Sequence, residues 1–187
     1  MARAPFQILV MPYKFSTSGE IKFAIFLRSD GDFWQGISGG GEDDETPLET
    51  AKRESMEEAN IPQHFPFIQL DNTNSIPLSN FKDRYLWGEN VYVVPEYSFS
   101  VDIGDHKIKL SSEHTEFRWA TYNDALETLE FDSNKTALSE LNERILRAAS
   151  GNNLGFKKNW YNCLYQLQII SCTLKIKRKY TNGILFT

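Results

Sequence analysis

Three consecutive glycines, Gly39 to Gly41, run almost directly into a segment that carries every mark of a helix start, and no other stretch restricts the chain as much. Thr46 suits the N-cap, Pro47 the first helical position, and Glu49 stands where a capping box needs it. Asn60 can close the helix in the left-handed conformation, and Pro62 prevents its resumption. Leu48, Ala51 and Ser55 fall on one stripe, the expected buried face, while Glu54, Glu57 and Glu58 project together from another. The glycines allow close approach of a ligand or positive φ, and by themselves they read equally well as a flexible loop. No Gly-Lys-Ser/Thr follows, so they do not form a P-loop.

Short strands surround this junction. Phe6–Met11 and Ile21–Leu27 are apolar runs separated by a polar turn, and the second is apolar on both faces, as expected of a strand covered on both sides in a layered α/β domain. Phe65–Leu70, Tyr85–Trp87, Val91–Val94 and Phe117–Ala120 also read as strands, with Asp71–Asp83 a polar loop. Gly104-Asp105 suits a hairpin turn between Phe99–Ile103 and His106–Leu110. Thr121 caps a helix through Leu129, and Asp132 or Ser133 caps a longer one in which Leu138, Leu141, Ile145 and Ala148 keep helical spacing, with Gly151 as its stop. The expected organisation is one domain over residues 1–150 and a basic extension over 151–187.

Charge divides along the same line. The chain has 187 residues and a net charge of -5, but residues 151–187 hold six Lys or Arg and no acid, so the body is strongly acidic. An acidic body argues against broad nucleic-acid binding. It leaves open phosphate substrates held through a divalent cation. The only cysteines, Cys163 and Cys172, have no metal-ligand or CxxC spacing, which fits a reducing compartment. Pro5 and Pro12 bracket the N-terminal apolar run, a poor signal peptide, and no segment has the length of a membrane span. The expected location is cytoplasmic. The extension itself mixes aromatic, aliphatic and basic residues without caps or steady alternation, so an added strand, a partner contact and an accessory segment all remain open.

Three carboxylates within one and a half turns are compatible with a solvated helix face, because like charges at i and i+4 cost only about 0.2 to 0.5 kcal/mol. They are equally compatible with a hard cation, which takes oxygen ligands and accepts a backbone carbonyl from a glycine-rich turn. Mg²⁺ keeps several waters and bridges to phosphates, so such a site would suit phosphoryl chemistry.

The run of Gly39, five residues, Glu45, seven residues, Arg53-Glu54, two residues, Glu57-Glu58 and Ile61 resembles the Nudix box. Two positions depart from it: Ser55 stands where the family has an aliphatic residue and Asn60 where it has glycine. Neither removes a carboxylate. The likeness in the order of strands and helices covers about residues 5–148. Asp32-Phe33-Trp34-Gln35 and Ser133-Asn134-Lys135 are similar to the family's dihydroneopterin triphosphate pyrophosphatase branch, also known as dATP pyrophosphohydrolases.

The resemblance implies an α/β/α sandwich with a mixed sheet and a hydrolase of phosphoric anhydride bonds. Its substrate would be a nucleoside or pterin triphosphate, or another nucleoside diphosphate-X, cleaved to a monophosphate plus pyrophosphate or phosphate-X. Glu54, Glu57 and Glu58 would hold Mg²⁺, or Mn²⁺ in its place, together with the carbonyl of Ser38, with Glu57 also catalytic. Arg53 would orient a helix carboxylate and Glu45 would brace the glycine segment. A further carboxylate, Glu113 or its rival Glu116, would bind metal or act as general base on water.

Arg28 is a candidate phosphate contact and Asn134 a candidate substrate contact. Phe33, Trp34, Trp87 and Tyr92 offer stacking surfaces or core packing, and of His64, His106 and His114 the last stands next to Glu113. The expected oligomer is a monomer or homodimer, with no membrane partner. Two other readings remain: a Nudix-fold module that senses a nucleotide without cleaving it, and a calcium site at Glu42-Asp43-Asp44-Glu45, which lacks the ligand pattern of an EF-hand loop.

Overall fold

The computed structural model describes residues 3–82 and 84–150. Of the described residues, those up to Arg144 form one compact unit, and those from Ile145 on fall outside it. The expected extension over 151–187, with both cysteines and the expected stop at Gly151, lies outside the described residues.

Seven strands make one mixed sheet: β1 Arg3–Phe15, β2 Ile21–Arg28, β3 Trp34–Gln35, β4 Ile37–Glu42, β5 Phe67–Pro77, β6 Val93–Asp102 and β7 His114–Ala120. Helix α1 spans Pro47–Ala59, α2 Tyr122–Thr128 and α3 Asp132–Ala149. The path runs β3-β2-β1-β6-β5, with β4 added to β1 and β7 to β2. β1 and β6 run parallel, and every other pairing is antiparallel. This is the expected α/β architecture with helices flanking a mixed sheet.

Alternation sorts the strands into two faces. Ile8, Val10, Phe26, Ile37, Phe99 and Val101 join Ala51 and Ala59 of α1 in a single buried cluster. Leu9 and Met11, wholly buried as well, fall on the opposite face of β1. β1 therefore has apolar residues on both faces, as a central strand requires.

α1 is capped as its sequence dictates. Thr46 accepts from the Glu49 amide, the reciprocal bond of the capping box is present, and Asn60 closes the helix at φ 57° and ψ 32°. One expectation fails: Leu48 points outward and is 39% exposed. The buried face is instead Thr50, Ala51, Glu54, Ser55, Glu58 and Ala59, so it includes two of the three acids.

Four further differences have local causes. The glycines lie in strand β4 rather than a loop, and none has positive φ. β5 continues through the segment expected as a polar loop, since it pairs with β6 alone and its free side accommodates Asp71, Thr73 and Asn74. Tyr85–Trp87 belongs to a 3-10 turn in which the Trp87 indole donates to the Arg3 carbonyl at 2.7 Å. The hairpin after Gly104 does not form, because both edges of β6 are occupied by β1 and β5. The Lys109 and Ser111 amides bond instead to the carbonyls of Ala59 and Glu58 at the end of α1, at 3.2 and 3.0 Å.

Candidate active site

Glycine is required in β4 for room. A Cβ on Gly39 would overlap the carboxylate of Glu54, and one on Gly41 would enter the ring of Phe6. The acid of α1 thus lies directly on the strand backbone. Stability against that arrangement comes from Arg53, whose guanidinium holds Glu45 through both carboxylate oxygens at 2.8 and 3.0 Å. The same group reaches the Gly40 carbonyl at 2.9 Å, Glu54 at 2.9 Å and Glu57 at 3.1 Å. One arginine therefore joins strand, loop and helix. These bonds hold the Glu45 carboxyl down at about 2 and raise the Arg53 guanidinium above its ordinary value. Glu45 also accepts from the Glu42 amide and the Thr50 hydroxyl, at 3.0 and 2.9 Å.

Burial separates the three acids. Glu57 is more than half exposed and fits a solvated face. Glu54 and Glu58 are only 9% and 1% exposed. Desolvating a carboxylate costs several kcal/mol, far beyond the few tenths assigned to like charges on a wet face, so those two require another explanation. Burial pushes Glu54 up to about 7 despite the opposing Arg53. Glu58 is raised by burial too, against the pull of His114, whose Nε2 lies 2.7 Å from Oε2. Its other oxygen, Oε1, has no hydrogen-bond partner within the protein.

A cleft of about 680 Å³ opens beside β4. Ser38, Gly39, Glu54, Glu58, Glu113, Arg28, Phe33 and Asn134 line it. Arg28 is already engaged there: its fork takes both oxygens of Asp30 at 2.8 and 2.9 Å, and its third nitrogen donates to Glu113 Oε2 at 2.8 Å. These bonds raise its guanidinium further, so it arrives at the cleft as a fixed cation. Glu113 is anchored again where its carbonyl accepts from the Ser29 amide at 2.9 Å. Its rival Glu116 is not part of the lining.

The remaining candidates divide. Asn134 is buried, with Oδ1 accepting from the Gly36 amide at 2.8 Å. Phe33 meets Phe131 edge to face. Trp34 lies under the guanidinium of Arg118, 4.5 Å from the ring centroid, and outside the cleft. Trp87 and Tyr92 are outside it as well, the latter fully presented to solvent. His64 stacks on Phe65 and His106 bonds the Asn60 carbonyl, whereas His114 joins Glu58. Among the described residues no three His, Cys, Asp or Glu side chains already converge as a metal-binding group.

Several cleft residues had no counterpart in the sequence reading: Arg3, Gln7, Asn74 and Glu96. The signal for Glu96 was present. β6 carries Tyr97, Phe99 and Val101 toward the α1 cluster, while Glu96, Ser98 and Ser100, buried too, occupy the alternate positions. A buried polar stripe opposite an apolar one marks a strand with a site on its second face.

A model of the NUDIX domain matches residues 18–141. The chain belongs to the Nudix hydrolase family. Over 115 residues this Nudix chain is 32% identical to the dihydroneopterin triphosphate diphosphatase of Haemophilus influenzae, a match covering 60% of the chain and 73% of that protein. Among solved structures, a NUDIX hydrolase from Listeria monocytogenes shares 44% identity and a TM-score of 0.70, covering 77% of this Nudix chain and 96% of the other. The E. coli dihydroneopterin triphosphate pyrophosphohydrolase shares 26% identity and a TM-score of 0.62 over 76% and 99% of the two chains. Within the described residues of this Nudix protein, no helix is long and apolar enough to cross a membrane.

Proposed function

We propose that this Nudix chain is a divalent-cation-dependent pyrophosphohydrolase. Its substrate would be a nucleoside or pterin triphosphate, or another nucleoside diphosphate-X, and its products a monophosphate with pyrophosphate or phosphate-X. One observation carries the reading: Glu58 Oε1 is buried without a partner on the helix whose Glu54 carboxylate rests on the Gly39 backbone. Buried carboxylate oxygens of that kind fit a hard cation, which would supply the missing charge. The names of two relatives, in Haemophilus influenzae and E. coli, favour the pterin triphosphate.

Glu54, Glu57, Glu58 and the Ser38 carbonyl would hold Mg²⁺, or Mn²⁺ in its place. When bound, the cation neutralises phosphate oxygens and acidifies the attacking water. Arg53 orients Glu54 and Glu57 for that task through its two charge-assisted bonds. Arg28 holds Glu113 by Oε2, leaving Oε1 to accept the proton of the water as its oxygen bonds to phosphorus and the bridging P–O bond breaks. Phosphate, which is already negative, is approached through a fixed arginine rather than a mobile one.

The deciding experiment incubates the protein and Mg²⁺ with dihydroneopterin triphosphate, each dNTP, ADP-ribose and diadenosine polyphosphates, and identifies products by mass. Pyrophosphate or phosphate-X release from at least one, lost in Glu57→Gln with the fold intact, is the expected result. Full activity in that variant would overturn the assignment.

A further inference from the structure

Glu96 takes no part in the chemistry above, yet it lines the cleft and is only 5% exposed. Its Oε1 has no hydrogen-bond partner. A buried acid in this condition is costly, and an apolar residue would serve the strand better. The register shows what surrounds it: Gln7 of β1 and Asn74 of β5 stand opposite Glu96 on either side, and Gly40 of β4 stands opposite Gln7. These positions form one row across four strands. With strands about 4.8 Å apart, Glu96 lies roughly 10 Å from Gly40 on the sheet face opposite α1, and the cleft that Gly39, Glu54 and Glu96 all line joins that face to the acidic helix. A nucleoside or a pterin with its side chain spans such a gap.

Donor and acceptor chemistry then narrows the ring. A carboxylate offers two acceptor oxygens, and Oε1 of Glu96 is unused within the protein. Asn134, also in the lining, has its oxygen committed to the Gly36 amide and one long bond, 3.4 Å, from its NH₂ to the Ser133 hydroxyl, so a second N–H of that group is left to donate. Two acceptors from Glu96 and a donor from Asn134, all lining one cleft, are the complement of a ring that presents amino group, ring N–H and carbonyl. We propose that Glu96 selects the substrate by its ring, pairing with the amino group and ring N–H of a 2-amino-4-oxopyrimidine, the unit common to pterins and guanine. Adenine presents an amino donor next to a bare nitrogen acceptor, which the carboxylate repels.

The inference rests on the hydrolase reading for the triphosphate and on Glu96 for the ring, and the two fail separately. For wild type and Glu96→Gln, kcat/KM is measured with dihydroneopterin triphosphate, dGTP and dATP, alongside calorimetric binding of the same three in EDTA. The wild type is expected to favour the first two. In the near-isosteric Gln variant the preference over dATP falls at least about ten-fold, in binding as in turnover, because one acceptor becomes a donor. A wild type that favours dATP, binds none of the three, or keeps its ratio in the variant overturns the role of Glu96. Absence of turnover with the binding preference intact would overturn the hydrolase reading alone. Thermal melting of both proteins identifies a variant that fails to fold, in which case the wild-type ratio decides.

Discussion

Glu58 and His114 meet across 2.7 Å inside the protein, their side chains 1% and 0% exposed, and each keeps its second polar atom unpartnered. The pair joins α1 to the first residue of β7, so it fixes the acidic helix against the strand that follows Glu113. Nothing else in the described residues ties Glu58's carboxylate down.

Removing the histidine strands the acid. His114→Ala is expected to lose about 3 kcal/mol of stability, the order of cost of leaving a buried carboxylate without its hydrogen-bond partner. Urea unfolding measures it. The loss should shrink when Glu58→Gln is added, since a neutral amide tolerates the vacated site better. Additive losses would mean that the two side chains do not support each other.

Arg53 cannot be replaced by a lysine, because one ammonium has no fork to hold Glu45 while also reaching Gly40, Glu54 and Glu57. Arg53→Lys is expected to lower kcat at least about ten-fold with a smaller change in KM, the pattern of misplaced chemistry. Steady-state kinetics on the best substrate reads this directly. A rise in KM alone would assign Arg53 to substrate binding.

Glu45 gives stability a defined acid limb. Its carboxyl is lowered to about 2, chiefly by its hydrogen bonds to Arg53, so the unfolded chain takes up a proton before the folded one does. Its contribution is complete above the ordinary glutamate value near 4.5 and disappears as pH falls toward 2. The stability difference between wild type and Glu45→Gln should therefore be constant from about pH 6 upward and narrow progressively between about pH 5 and about pH 2. Denaturant titrations across that range test it, and a difference that widens in acid would refute the assignment.

The glycines should differ from one another. Gly39→Ala drives a methyl group into the Glu54 carboxylate, whereas Gly40→Ala meets the end of the flexible Arg3 side chain. Neither position has positive φ, so backbone strain is not the issue. Gly39→Ala is expected to lose at least about ten-fold more activity than Gly40→Ala, because it displaces Glu54, a proposed metal ligand. Equal losses would point to the strand rather than to Glu54.

Local rules made much of this legible. Thr46, Pro47, Glu49 and Asn60 fixed α1 because caps act within four residues. The run from Gly39 to Glu58 marked the candidate site through its resemblance to the Nudix box, a pattern contained in one contiguous stretch. What escaped depended on distant chain: that Gly39 to Gly41 lie in a strand follows from pairing with β1, and that His106–Leu110 form no strand follows from β6 having both edges filled. Leu48 was misplaced because the helix buries Glu54 and Glu58 instead, a preference visible only once β4 and His114 are in position. Glu96 was hidden by a strand read as two pieces, which broke up the alternation that singles it out.

The two amides that bond the end of α1, those of Lys109 and Ser111, act through main chain alone. They set the distance along the chain from Glu58 to Glu113 by counting residues, whatever side chains lie between. The 104–112 connection is thus intolerant of a change in length, over and above what its own side chains hold: Ile108 and Leu110 pack on the core, and His106 bonds the Asn60 carbonyl, but even with those in place one inserted residue would put Glu113 out of step with α1.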